Sequence, residues 1–209
     1  MASFTTPHTV DARPQIVARL AEQIRRGGQP LGEVDEGLLV SSGARELDAL
    51  LPRGGFVRGS FVEWIPARPG AGATLLALKV AQAACGHEGY LAVIDGERNF
   101  FPPAAAALGL SLARLLLVRP TKAADALWAA DQVFRCRGIA AALAWPGSLD
   151  HRALRRWQLA VEESRVLGLL VRPRDVLTEP SWAEARLLVE PLPTTDDQRR
   201  WRIEVVHAR

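Results

Sequence analysis

Lysine is almost missing from this sequence: only Lys79 and Lys122 stand among 26 basic residues, and the rest are arginine. Cysteine is nearly as scarce, with Cys85 and Cys136 the only two. So few excludes a disulfide-stapled scaffold. They either form one bridge or stay as thiols, and two buried thiols in a cytoplasmic protein is the expectation. No apolar run approaches the roughly 20 residues that a membrane-crossing helix needs. The opening MASFTTPHTVDARPQ has neither the apolar stretch nor the basic start of a secretory leader. The four histidines, His8, His87, His151 and His207, show no metal-ligand spacing, so no metal is expected. No block of five or six like charges occurs either. A net charge of +3 and a pI near 9.4 hint at nucleic acid. The arginines are interspersed with acids, however, which reads as a solvated mixed surface with weak or no direct DNA binding.

What is present is a core. A hydrophobic fraction of 48% over 209 residues suits one packed domain with a short arm. From Pro14, the residues Ile16, Val17, Leu20 and Ile24 recur at helical spacing, opposite Arg19, Glu22, Gln23 and Arg26. Gly27 and Gly28 stop that helix, and a Pro- and Gly-bearing connector runs from Gln29 to Ser42. Residues 1–35 are therefore a helical arm and connector, and residues 36–209 the core. A short helix is expected at Ala44–Leu51. Apolar strands then alternate with helices: strands at Ser60–Ile65, Tyr90–Asp95, Leu115–Arg119, Ile139–Trp145 and Leu167–Val171, helices at Thr74–Cys85, one opened by Pro102 and Pro103, Ala123–Cys136, and from Asp150 to about Ser164. This alternation predicts an α/β fold with a mostly parallel sheet flanked by helices. Ala185–Leu192 and Trp201–His207 read as C-terminal antiparallel strands, joined by the acidic turn from Pro193 to Asp197.

In such a sheet, ligands bind at the carboxyl ends of the strands. The first strand-to-helix turn, Ala67 to Thr74, has the place and shape of a phosphate-binding loop. Such a loop needs glycines that let amides converge on phosphate, a lysine for the β and γ oxygens, and a hydroxyl for magnesium. Gly70, Gly72 and Thr74 fit. Ala67 stands for the leading glycine and Ala73 for the lysine. Lys79 lies more than a turn into the helix, and Arg68 reads as a surface arginine. The strand that should end in a magnesium-organising acid has Ala144 and Trp145 there. The nearest acid, Asp150, reads as a helix N-cap. Glu97, beside Asp95, stands where a general base would lie but reads as a surface residue near Arg98. Trp128, Trp157, Trp182 and Trp201 could stack bases, although most fall in helices or strands where packing is the expected role.

These stretches resemble the RecA ATPase core. LVSSGARELDALL (Leu39 to Leu51) and RGGFVRGSFVEW (Arg53 to Trp64) are similar to its entry element and first core strand. IDGER (Ile94 to Arg98) is similar to the strand carrying its catalytic glutamate, matched by Glu97, and Leu108 to Pro120 to its third strand. Arg13 to Ile24 resembles the N-terminal helix that docks on the neighbouring RecA protomer. The altered loop, the NFFPPAAAALG and ADALWAADQ runs and the AWP strand end narrow the resemblance to the ImuA family. That resemblance implies a RecA-like core without RecA's C-terminal domain. RecA's two DNA-binding loops correspond here only to Pro146–Asp150 and Arg172–Trp182. It implies a non-catalytic pseudo-ATPase with no cofactor, working in SOS-induced, error-prone translesion synthesis. Its partners would be RecA, or the Y-family-like protein and error-prone polymerase of the same operon, with Ile16, Val17, Leu20 and Ile24 as the partner-binding stripe and inhibition of RecA filaments as one effect. Two alternatives stay open: an SOS cell-division inhibitor on a related stripped core, and a weak ATPase using Arg68 and Glu97.

Overall fold

The computed structural model describes residues 36–147, 149–195 and 198–208. The expected N-terminal helix, with Ile16, Val17, Leu20 and Ile24, lies outside the described residues. After a 3-10 turn at Glu36–Leu38 comes a pairing that the sequence pattern did not announce. β1 (Leu39–Val40) pairs antiparallel with β2 (Phe56–Val57), enclosing the short helix α1 (Arg45–Asp48). The SSGARELD stretch explains that excursion: the Asp48 carboxylate accepts from the Ser41 hydroxyl and from the Ser42 amide at 2.8 Å, closing the turn around buried Leu47.

The alternation that follows gives β3 (Phe61–Pro66), α2 (Ala73–Cys85), β4 (Tyr90–Ile94), α3 (Pro102–Ala107), β5 (Leu115–Val118), α4 (Ala123–Phe134), β6 (Ile139–Ala144), α5 (His151–Ser164), β7 (Leu167–Val171), β8 (Ala185–Leu192) and β9 (Arg200–Ala208). Strands β3 to β9 form one sheet in the order β5-β4-β6-β7-β3-β8-β9. Every neighbouring pair is parallel except β8 and β9. The C-terminal strands are thus antiparallel to each other, while β8 joins the parallel sheet beside β3.

Side chains alternate across the sheet as strand geometry requires. Val62, Trp64, Val93, Leu143 and Leu169 face the core shared with α2. Phe61, Ile94, Ala142 and Leu170 face the second core, with Phe134 of α4 and Trp157 of α5. Phe61 needs Gly168 as its neighbour, since a β-carbon there would lie 2.1 Å from the Phe61 ring. Its ring sits 4.8 Å from that of Phe134, edge-on. On β9 the pattern is looser: Trp201, Ile203 and Val205 pack on the α2-side core, whereas Arg200, Arg202 and Glu204 face outward.

Strand order places the crevice. The chain leaves β4 toward the edge at β5 and leaves β6 in the other direction, toward β7. The carboxyl ends of β4 and β6 therefore flank the switch point, where open α/β sheets take ligands.

Candidate functional site

The turn between β3 and α2 has the backbone of a glycine-rich loop. Gly70 and Gly72 hold φ of 76° and 94°, left-handed values that favour glycine. Gly72 is the N-cap of α2 and provides no side-chain cap. Ala73, where a phosphate-binding lysine would stand, is 2% exposed and part of the α2-side core. Thr74 is half-buried, and Arg68 and Lys79 are exposed. The loop is tied from a distance. The Trp201 indole N–H of β9 donates to the Ala71 carbonyl at 2.9 Å, and a β-carbon at Gly72 would come within 2.4 Å of that indole nitrogen. Sequence reading singled out Gly70, Gly72, Ala73 and Thr74 but not this contact.

At the end of β4, Asp95 is 1% exposed and works for its own turn. It accepts from the Asn99 amide at 2.8 Å and from Arg119 Nε at 3.1 Å, and Arg119 also donates to the Phe100 carbonyl at 3.2 Å. Arg98 in this turn has φ of 60°. The exposed Glu97 accepts from Asn99 Nδ2 at 3.0 Å rather than pairing with Arg98. At the end of β6, Ala144 lies in ladder between Ile94 and Leu170, an apolar position where a metal-organising acid would stand. Asp150 caps α5 as expected, accepting from the Ala153 amide at 2.6 Å.

The third feature is one that sequence reading missed. Glu63 of β3 is 0% exposed and sits between Arg172, at the end of β7, and Arg186 of β8. Arg172 donates to Glu63 Oε1 at 3.0 Å and to Glu179 at 3.0 Å; Arg186 Nε donates to Glu63 Oε2 at 2.7 Å. The Ser181 hydroxyl donates to Glu63 Oε1 at 3.0 Å, and Arg186 reaches the Glu179 and Val176 carbonyls. The whole β7–β8 connection, with its short 3-10 turn at Arg174–Thr178, is thereby bound to the sheet. A signal was available: an acid inside the apolar run FVEWIP, and arginines flanking LGLLV and inside ARLLV, need partners once buried.

The tryptophans divide. Trp157 is 1% exposed, with ring centroids 5.1 Å from Phe134 and 6.4 Å from Phe61. Trp182 donates to His151 Nε2 at 3.0 Å and lies under Arg155, 4.4 Å from the guanidinium carbon. Trp128, expected to pack in the core or against a partner, is 66% exposed on α4 and so is not part of the core. The cysteines also correct an expectation. Both are free thiols, but only Cys85 is buried, and burial pushes its pKa up to about 11. Cys136 follows the end of α4 and is exposed. Among the described residues no group of His, Cys, Asp or Glu could hold a metal ion, and no helix is long and apolar enough to cross a membrane.

Comparison with known proteins bears on this geometry. The RecA N-terminal domain model matches residues 24–143. RecA from Borreliella afzelii is 34% identical over 116 residues, covering 56% of this chain and 31% of that protein. RecA from Rhodospirillum rubrum is 39% identical over 100 residues, 48% of this chain and 27% of that protein. ImuA from Caulobacter vibrioides is 28% identical over 192 residues, 82% of this chain and 79% of that protein. The chain thus spans less than a third of the curated RecA proteins named and most of the length of ImuA.

Proposed function

The chain belongs to the RecA N-terminal domain family, and from that premise we propose that it is a non-catalytic RecA-like accessory protein of error-prone translesion synthesis. It acts by contact with RecA or with the mutagenic polymerase complex, and it hydrolyses no ATP. The observation that carries this reading is the charge missing from the loop. Ala73 is buried where lysine would reach phosphate, and Ala144 closes β6 where an acid would organise magnesium. A charge-assisted hydrogen bond contributes roughly 1.5–3 kcal/mol. A donor aimed at transition-state charge typically contributes on the order of a hundredfold to a thousandfold in rate. Two such absences compound. The extent of likeness to ImuA supports placing the chain in translesion synthesis.

The test is direct. Purified protein with magnesium and ATP, with or without single-stranded DNA, releases phosphate at the no-protein rate. Ala73→Lys alone stays inactive, because the metal-organising acid is still missing. Magnesium-dependent turnover that disappears in Glu97→Ala overturns the reading in favour of a weak ATPase. Binding to single-stranded DNA is weak and falls steeply with salt.

The partner-binding stripe is Ile16, Val17, Leu20 and Ile24, which lies outside the described residues. An isolated amphipathic helix is marginal in water, so the stripe needs a surface to cover it. Docked on RecA, a chain offering no nucleotide would cap or interrupt a filament. Co-elution with RecA and slowed strand exchange are expected for wild type, and both are lost in Leu20→Asp with Ile24→Asp. Wild type that neither binds RecA nor alters filament growth, or a folded double variant that binds as well, removes this partner.

A further inference from the structure

Strand β9 is the last in the sheet, and among the described residues no strand pairs with its outer side. Open edges are templates for further strands, and proteins usually blunt them with lysine, proline or inward-pointing charge. β9 has none of these: Trp201, Ile203 and Val205 face inward. The direction of its backbone groups follows from its neighbour. The Val189 carbonyl of β8 accepts from the Ala67 amide at 2.8 Å, so Val189 turns its backbone toward β3. Val189 lies opposite Ile203, and that pair is therefore not hydrogen-bonded across the β8–β9 ladder. The amide and carbonyl of Ile203 point outward instead, and those of Trp201 and Val205 do the same by alternation. The register shift between Arg186 and Leu187 leaves Val206 as an extra residue, so the regular edge runs from Trp201 to Val205. Ile203 is its midpoint.

The second observation is charge. Arg202 and Glu204 flank Ile203 on the exposed face. A two-fold axis at Ile203 sets Arg202 opposite Glu204 of a second copy, and Glu204 opposite its Arg202. Moving the axis by one residue sets Arg202 against Arg202, or Glu204 against Glu204, which is destabilising. Within the chain Arg202 reaches Glu190 at 3.2 Å, an exposed pair, whereas Glu204 makes no ion pair among the described residues.

We propose that the protein pairs with a second copy of itself along β9, antiparallel about a two-fold axis at Ile203. Trp201, Ile203 and Val205 exchange backbone hydrogen bonds with Val205, Ile203 and Trp201 of the copy, joining two seven-stranded sheets into one. Ile203 packs beside its counterpart on the α2 side, and the Arg202–Glu204 pairs close the exposed side. A contact of this symmetry uses the same edge on both copies, so it closes at two.

Sedimentation equilibrium of the full chain tests this. A contact of one strand is at the small end of protein interfaces, so a Kd on the order of 10–100 µM is expected. The mass should rise from 22.7 kDa toward twice that across this range. Glu204→Arg sets arginine opposite Arg202 on both sides of the axis and should weaken the dimer about tenfold. Arg202→Glu together with Glu204→Arg returns unlike pairs and should restore it. Ile203→Pro keeps every bond to β8, removes the central donor and should leave a monomer that still unfolds cooperatively. The charge variants change exposed residues only, so the test stands even if Ile203→Pro does not fold. A dimer as strong in Glu204→Arg as in wild type, or a double variant no stronger than Glu204→Arg, overturns the proposal. A chain that stays monomeric also overturns it, and slow deuterium exchange of the Ile203 amide would then assign the edge to residues 1–35 of the same chain.

Discussion

Two loops leave the same edge of the sheet, and they are held in opposite ways. The glycine loop between β3 and α2 is tied by neutral contacts: the Ala67 amide donates to the Val189 carbonyl of β8, and the Trp201 indole lies against Ala71 and Gly72. The β7–β8 connection is tied by Glu63, Arg172 and Arg186, three charged residues each at most 5% exposed. Glu63 sits on β3, the very strand that feeds the glycine loop. The buried start of α2 has only the methyl group of Ala73, whereas buried charge is concentrated where the chain meets itself. The lesson is thermodynamic. A neutral tie contributes about what one hydrogen bond and some packing contribute, whereas a buried charge commits its partners, because each is costly alone.

The sharpest way to break this contrast is to neutralise its centre. Glu63→Gln removes the carboxylate between two buried guanidiniums: Arg172 keeps only the partly exposed acid Glu179, and Arg186 keeps only backbone carbonyls. A loss of about 3–5 kcal/mol is expected by urea unfolding, with earlier proteolysis in the β7–β8 connection. A loss under about 1 kcal/mol would mean that the network is no firmer than the indole tie. Next comes Gly72→Ala, which places a β-carbon against the Trp201 ring and forces alanine into φ of 94°. A loss of about 2–3 kcal/mol is expected, and pairing it with Trp201→Ala should recover the steric part but not the backbone strain. Trp201→Phe keeps most of the packing and removes only the hydrogen bond to Ala71, for about 1 kcal/mol. Glu179→Gln should cost no more than about 1 kcal/mol: its side chain is 38% exposed, so water replaces what it provided.

The smallest effect reports on the helix that the glycine loop opens. Cys85 ends α2 and its pKa is about 11, so at pH 8 only on the order of one thiol in a thousand is thiolate. A thiol reagent at pH 8 should label Cys136 alone in wild type. Slow labelling of Cys85 should appear in Gly72→Ala, and prompt labelling of both in wild type would mean that α2 opens freely.

Much of the fold was legible because the sheet is buried on both faces. The apolar run LGLLV set the bounds of β7 to the residue, the bounds of β8 were also read to the residue, and Asp150 announced the start of α5. β1 and β2 were invisible because two residues carry no alternation to read. The place of β8 beside β3 is equally silent, since strand order depends on how helices cross the sheet. The glycine loop could be read from its own eight residues. Its tie could not, since Trp201 lies 130 positions from Ala71, and Arg186 lies 123 from Glu63. Local sequence showed charges that needed partners without saying which. Cys136 was expected to be buried because the helix was expected to run through it; α4 ends at Phe134, and Cys136 lies exposed beyond it.

The bare α-carbon of Gly168 beneath the Phe61 ring has an evolutionary consequence. The pair can change in one order only. A side chain at position 168 meets the ring at 2.1 Å, so Gly168→Ala in the present background is purged for misfolding. Phe61→Leu costs only a partial cavity and opens the gap into which alanine then fits. The two positions are therefore epistatic with a fixed sequence of steps. A library that varies both together should return the double replacement and Phe61→Leu alone, with Gly168→Ala alone missing among folded clones.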